Sequence, residues 1–135
     1  MPAFRRSAQS LPSVCVAQGS NDDSPANILQ TALEGLGGMG RFVKPGQTVA
    51  ITAGSRGVAN IAIVIKAVVD HAKKLGLRPY VVPAMGSHGG GTAEGQAGLL
   101  AGYGITEATM GCPVLASMET VVVCEAAEGF PVHFD

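Results

Sequence analysis

The stretch that decides the fold is TVAITAGSRGVANIAIVIKAVVDHAKKLGLRPYVVPAMGSHGGG, residues 48–91. Its first apolar run, residues 48–52, is short and bounded by turn residues, which predicts a buried strand. Residues 61–75 carry apolar side chains at helical spacing opposite a charged face, which predicts an amphipathic helix. Residues 80–82 form a second apolar run between two prolines and predict a second buried strand. The order strand, helix, strand is typical of a parallel sheet with right-handed crossovers.

The sequence on either side of this stretch adds further elements. Ser24 as N-cap and Pro25 at the first helical position predict an earlier helix, which Gly37 ends. Further elements are predicted at residues 13–17 (a short strand), 92–101 and 105–110 (helices), and 120–124 with 130–134 (a hairpin); residues 1–12 are a flexible lead. We therefore predict an α/β fold with a mostly parallel sheet, βαβ crossovers, helices on its faces and a Rossmann-like order.

Composition limits the class of protein. The chain has 135 residues, of which 47% are apolar and 14% charged, so one domain with a real core is expected. The net charge of −1 leaves no basic surplus for a phosphate backbone, which argues against nucleic-acid binding. No apolar run reaches the roughly 18 residues of a membrane span. The high apolar content instead predicts self-association, with the strands of residues 120–134 adding to another chain's sheet edge.

The cysteines and the N-terminus indicate the compartment. Cys15, Cys112 and Cys124 are odd in number and have no CxxC spacing, which disfavours a disulfide framework or a structural zinc site. The first 18 residues lack the apolar segment of a secretory signal. These features predict a reduced, cytoplasmic protein with small buried thiols.

Two glycine-rich loops are the candidate site. Residues 54–57 follow the first strand, residues 86–91 follow the second, and each leads into a helix N-terminus. Ligands of parallel sheets bind beyond the carboxyl ends of the strands, and glycine lets the backbone approach them closely. Arg56 and His88 are the chemically capable side chains of these loops. If the two strands are adjacent, both side chains converge on one crevice.

Plainer interpretations of these residues stay open. The glycines could serve only as turn residues, and Arg56 could be an ordinary surface arginine. His88 stands among glycines that pack against nothing, which favours a functional role over a core position. Neither loop matches GxGxxG or the P-loop, and no ligand set for a metal stands near His88. Ser87 is adjacent to His88 outside any GxSxG motif, which disfavours a nucleophilic serine.

At these loops the chain resembles a known family. VAITAGSRGVANI, YVVPAMGSHGGGTAEGQAGLLAGYGIT and SMETVVV are similar to the N-terminal domain of the nickel-dependent lactate racemases, on the branch of their uncharacterised homologues. The resemblance implies a two-domain isomerase with a nickel-pincer nucleotide between its domains. That cofactor takes a hydride from the α-carbon of a 2-hydroxy acid and returns it to either face, while histidines move the proton.

The resemblance also implies roles for particular residues. It makes His88 the first catalytic histidine and Arg56 the arginine that binds the substrate carboxylate. It places Thr52, Gly54 and Ser55 in the loop near the cofactor phosphate. Ala53 stands where the lactate racemases have aspartate, and Gly57 stands where they have proline, which leaves the hydroxy acid unspecified.

The resemblance implies, finally, how much of such an enzyme this chain represents. The second catalytic histidine, the lysine that anchors the cofactor and the histidine that ligates nickel would all lie beyond Asp135. We therefore expect residues 1–135 to be most of the N-terminal domain of a longer enzyme, inactive and without cofactor on its own, its C-terminal domain missing. The alternative is a stand-alone module that binds a small phosphate or carboxylate ligand at the two loops.

Overall fold

The computed structural model describes residues 24–55 and 58–134. Along the chain lie α1 (Pro25–Leu36), β1 (Thr48–Ala53), α2 (Ile61–Lys74), β2 (Arg78–Pro83), α3 (Ala93–Gly102), α4 (Glu107–Met110), β3 (Val121–Glu125) and β4 (Pro131–Phe134). Met39–Arg41 and Gly89–Gly91 are 3-10 turns. The class is thus α/β, and none of the described helices has the length and apolar character needed to cross a membrane. The strand and lead predicted within residues 1–17 fall outside the described residues.

A parallel β1–α2–β2 unit organises the fold. β1 and β2 pair in parallel from Thr48 opposite Arg78 to Ala53 opposite Pro83. On the other side of β2, Val114 makes a single parallel bridge to Val81, whose N–H donates to the Pro113 carbonyl at 2.9 Å. The described part of the chain therefore holds one parallel strand pair with a one-residue extension, a smaller sheet than the sequence predicted.

The core lies where this strand pair meets α2, α3 and α4. In β1, Ile51 and Ala53 are buried while Thr52 between them is exposed, as strand alternation requires. The helical period of α2 supplies Ile65 and Val69 from one face. The rest of the buried cluster comes from β2 and the segments after it: Val81, Met85, Leu100, Ile105, Met110 and Cys112.

Two of the three predicted N-cap residues cap their helices through the side chain. Ser24 and Thr92 cap α1 and α3 through their hydroxyls, which accept hydrogen bonds from backbone amides three residues later at 3.3 and 3.0 Å. The prediction that Asn60 caps α2 is wrong in its detail. Asn60 has a left-handed backbone, with φ of 57°, and its side chain makes no capping hydrogen bond.

The last two strands form an exposed hairpin. β3 and β4 pair antiparallel, with a register shift between Val122 and Cys124 and a turn closed by Gly129 donating to the Ala126 carbonyl at 2.9 Å. Every residue of β3 is exposed, and Val121 is 64% exposed. Cys124 shares this exposure, so the prediction of buried thiols is wrong for it and correct for Cys112, and Cys15 falls outside the described residues.

Candidate functional site

The two glycine-rich loops leave the sheet at the same edge. Because β1 and β2 run parallel with Ala53 opposite Pro83, both strands end side by side. The Ala84 amide donates to the Ala53 carbonyl at 2.8 Å, which holds the two strand ends together at the point where the loops begin. This edge is the one at which open α/β sheets bind their ligands.

A side-chain hydrogen bond joins one loop to the other. The Ser55 hydroxyl, in the loop after β1, contacts Nδ1 of His88, in the loop after β2. Both residues are half-buried. In the tautomer in which Nδ1 carries the proton and donates it to Ser55, Nε2 holds the basic lone pair. The contact therefore fixes the orientation of the imidazole.

The contact is that of an orienting group and not of a nucleophile. In Ser–His hydrolases the nucleophilic hydroxyl faces Nε2, and the group that orients the ring faces Nδ1. Ser55 occupies the second of these positions on His88. Ser87, the serine adjacent to His88, is exposed. The geometry thus gives neither serine the position of a hydrolase nucleophile.

One side chain of α3 and the side chain of its C-cap residue hold the backbone of these loops. The Tyr103 hydroxyl donates to the Ser55 carbonyl at 2.7 Å, and Nε2 of Gln96 donates to the Gly86 carbonyl at 2.7 Å. Gln96 is 4% exposed and is the one buried polar residue in the part of the chain that the structure describes. Neither residue was predicted from the sequence. The available signal was the spacing of Gln96 one helical turn before Leu100, which is buried.

The loop after β2 needs glycine at several positions because of its backbone conformation and its close packing on α3. Gly86, Gly89, Gly90 and Gly91 all have positive φ, between 57° and 71°. At Gly89 an added Cβ would also lie 2.5 Å from the carbonyl carbon of Gly95 on α3. The loop is therefore pressed against the start of α3 at a distance that no larger residue permits.

The other residues assigned to the site have different positions. Gly54 lies at the end of β1, where an added Cβ would sit 4.0 Å from the Ala84 carbonyl oxygen. Thr52 is exposed on the face of β1 opposite the buried Ala53, and its side chain is not among the contacts that link the two loops. Arg56 and Gly57 fall outside the described residues.

The other two histidines and the buried thiol belong to other segments of the chain. His71 belongs to α2, and His133 hydrogen-bonds the Thr120 hydroxyl through Nδ1 at 3.1 Å within the hairpin, a partner that the sequence did not predict. Burial raises the pKa of the Cys112 thiol above its ordinary value, against the opposing influence of Lys73. Over residues 24–55 and 58–134, no group of three or more His, Cys, Asp and Glu side chains could hold a metal ion.

Together these contacts define a small polar site at the sheet edge. Its polar groups are the Ser55 hydroxyl, the His88 imidazole and the backbone of the two loops. Such a set can orient a ligand that carries a carboxylate or phosphate and can move one proton. Comparisons of the chain with protein-family models, curated proteins and solved structures found no match.

Proposed function

We propose that this chain is the substrate-facing, N-terminal part of a racemase or epimerase that acts on a 2-hydroxy acid with a nickel-pincer nucleotide, in the cytoplasm. The observation that carries the proposal is the Ser55–His88 hydrogen bond across the two loops. It orients a single imidazole at the ligand-binding edge of a parallel strand pair, in an arrangement consistent with a Rossmann-like sheet completed by further strands.

The residues present fit the organic and anionic parts of such a system. When bound, the nickel-pincer nucleotide would accept the hydride from the substrate α-carbon and return it. Ser55 and the backbone near Gly54 offer hydroxyl and amide donors for its phosphate. The donor set of the described residues holds no metal-ligand cluster, so the nickel ligands would come from another part of the protein.

His88 moves the proton in this proposal. Its Nε2 takes the hydroxyl proton of the substrate as the α-carbon loses hydride, and it returns the proton after hydride comes back. Ser55 holds Nδ1 throughout, so the imidazole keeps its position as its charge changes. Arg56 would bind the substrate carboxylate through two parallel hydrogen bonds, which a guanidinium can make and an ammonium cannot.

The test measures interconversion of a panel of chiral 2-hydroxy acids by the complete, nickel-loaded protein. His88→Ala should lower turnover by about 10²–10⁴-fold, the usual contribution of a general acid–base group, while cofactor loading persists. Arg56→Lys should weaken substrate binding or lower turnover through lost geometry. His133→Ala is the matched control, because His133 also pairs with a hydroxyl through Nδ1 but lies in the hairpin. Wild-type turnover in His88→Ala would refute the assignment.

The second candidate function is a binding module without catalysis. It is favoured by the left-handed backbone of Gly89, Gly90 and Gly91, which carries no side chains and lets a ligand approach closely. Titration of the chain with inorganic phosphate and with acetate, followed by the amide NMR signals of residues 86–91, tests it. Saturable binding by a complete protein that racemises no 2-hydroxy acid would favour the module over the enzyme.

A further inference from the structure

We infer that Tyr103 and Gln96 are positioning residues that set the geometry of the Ser55–His88 pair from α3. Each donates a hydrogen bond to the backbone of one of the two loops. The functional consequence rests on the proposed role of His88 in proton transfer, whereas the geometric claim stands on contacts alone.

The helical period places both side chains on one side of α3. Gln96 lies within α3, and Tyr103 is its C-cap residue, two turns further along. Residues seven positions apart share a helix face. One face of α3 and its C-cap therefore reaches both loops.

The Tyr103 contact acts directly on the serine. Its hydroxyl donates to the carbonyl of Ser55, the residue whose own hydroxyl contacts Nδ1 of His88. A backbone carbonyl fixed at 2.7 Å limits rotation of the Ser55 peptide group, and the direction of the Ser55 side chain follows from that backbone. The tyrosine thus restricts where the serine hydroxyl can stand.

The Gln96 contact acts on the histidine loop. Its amide donates to the carbonyl of Gly86, two residues before His88, where the backbone has φ of 57°. Gln96 is almost wholly buried, so its donor has no water to replace the Gly86 carbonyl as partner. Meanwhile Gly89, just after His88, is pressed against Gly95 of the same helix. His88 is consequently held from both sides by α3.

Tyr103 offers the clean perturbation because it is 40% exposed and its ring persists in Tyr103→Phe. The matched control is Tyr80→Phe, which removes the chain's other tyrosine hydroxyl, on β2 and away from the loops. Gln96→Met is the second variant, since it keeps the length of the side chain and removes the donor. Thermal unfolding of each variant verifies that it folds.

The readout is the ¹⁵N NMR spectrum of the imidazole, which reports which ring nitrogen carries the proton. Tyr103→Phe should change the tautomer ratio of His88 at least about twofold, because the serine partner of Nδ1 loses its fixed position. Tyr80→Phe should leave that ratio unchanged, and Gln96→Met should speed amide exchange at residues 86–91. An unchanged ratio in Tyr103→Phe, or an equal change in Tyr80→Phe, overturns the inference.

Activity separates this inference from the proposed function. In the complete, cofactor-loaded protein, Tyr103→Phe should lower kcat about 10-fold with KM changed less than about twofold, since a misplaced acid–base group affects the chemical step. If Tyr103→Phe changes the tautomer ratio but the wild-type protein racemises no 2-hydroxy acid, the proposed function is overturned and the positioning role stands. Racemisation with full kcat in Tyr103→Phe overturns the positioning role alone.

Discussion

Replacing Gly95 by alanine tests the packing that holds the histidine loop against α3. A Cβ at Gly95 would overlap the Gly89 carbonyl oxygen. It would also lie 2.7 Å from the Gly89 carbonyl carbon and 2.9 Å from the Thr92 hydroxyl oxygen. At Gly98, on the same helix, nothing lies within 4 Å of an added Cβ. The two variants therefore add the same methyl group to one helix, once against backbone and once into open space.

The expected free energies of unfolding follow from these surroundings. Replacing a helical glycine by alanine stabilises the helix by about 1 kcal/mol. Gly98→Ala should realise most of this gain. Gly95→Ala should lose it to overpacking, which costs about 1–3 kcal/mol, because backbone atoms must move. We expect the two variants to differ by about 1–3 kcal/mol in the free energy of unfolding.

The assay is thermal unfolding followed by circular dichroism. For a domain of this size a change of 1 kcal/mol moves Tm by roughly 4 °C, so Gly98→Ala should melt roughly 4–12 °C above Gly95→Ala. The amide signals of residues 86–91 should shift in Gly95→Ala and stay in place in Gly98→Ala. Equal melting temperatures, or a more stable Gly95→Ala, would refute the close packing of the loop on α3.

Two further predictions concern the cysteines and the hairpin. Iodoacetamide at pH 7–8 should alkylate Cys124 rapidly and Cys112 only on unfolding, because burial raises the pKa of the Cys112 thiol and lowers its thiolate fraction. Peptide mass mapping measures both rates, and equal rates would contradict this prediction. Val121 and Val123 are 64% and 56% exposed, so we expect the protein to self-associate through β3. Light scattering should detect this association at high concentration, and lysine at both positions should abolish it. A monomeric wild-type chain under the same conditions would contradict it.

Local sequence was sufficient to predict the β1–α2–β2 unit, because the spacing of its apolar residues and the turn residues between them indicate each element. The strand β2 is nevertheless longer than predicted, since both prolines lie inside it. Pro79 has the parity of Val81, whose N–H points away from β1 to the Pro113 carbonyl. A proline at that parity removes no hydrogen bond between β1 and β2, so it does not end the strand.

The candidate site could be predicted only in part from local sequence. The resemblance and the glycine loops both singled out His88, and strand order implied that the loops share an edge. The contact of Ser55 with His88 and the donation from Tyr103 join residues 33 and 48 positions apart. Such contacts depend on how α3 is rotated against the sheet, which no local pattern encodes. Similarly, Asn60 has a left-handed backbone, which asparagine adopts more readily than most residues, and its side chain does not cap α2.

The parallel pairing of β1 with β2 has a kinetic consequence. Closing the loop of about 30 residues between Thr48 and Arg78 costs entropy before the strands can pair, about 3 kcal/mol on a logarithmic scale. Helix α2 spans much of that loop and forms locally within about a microsecond, which shortens the flexible chain to be closed. The strand ends can register only after this closure, and the glycine loops extend from them. The hydrogen bond between Ser55 and His88 should therefore form late in refolding, after α2, and break early when the protein unfolds.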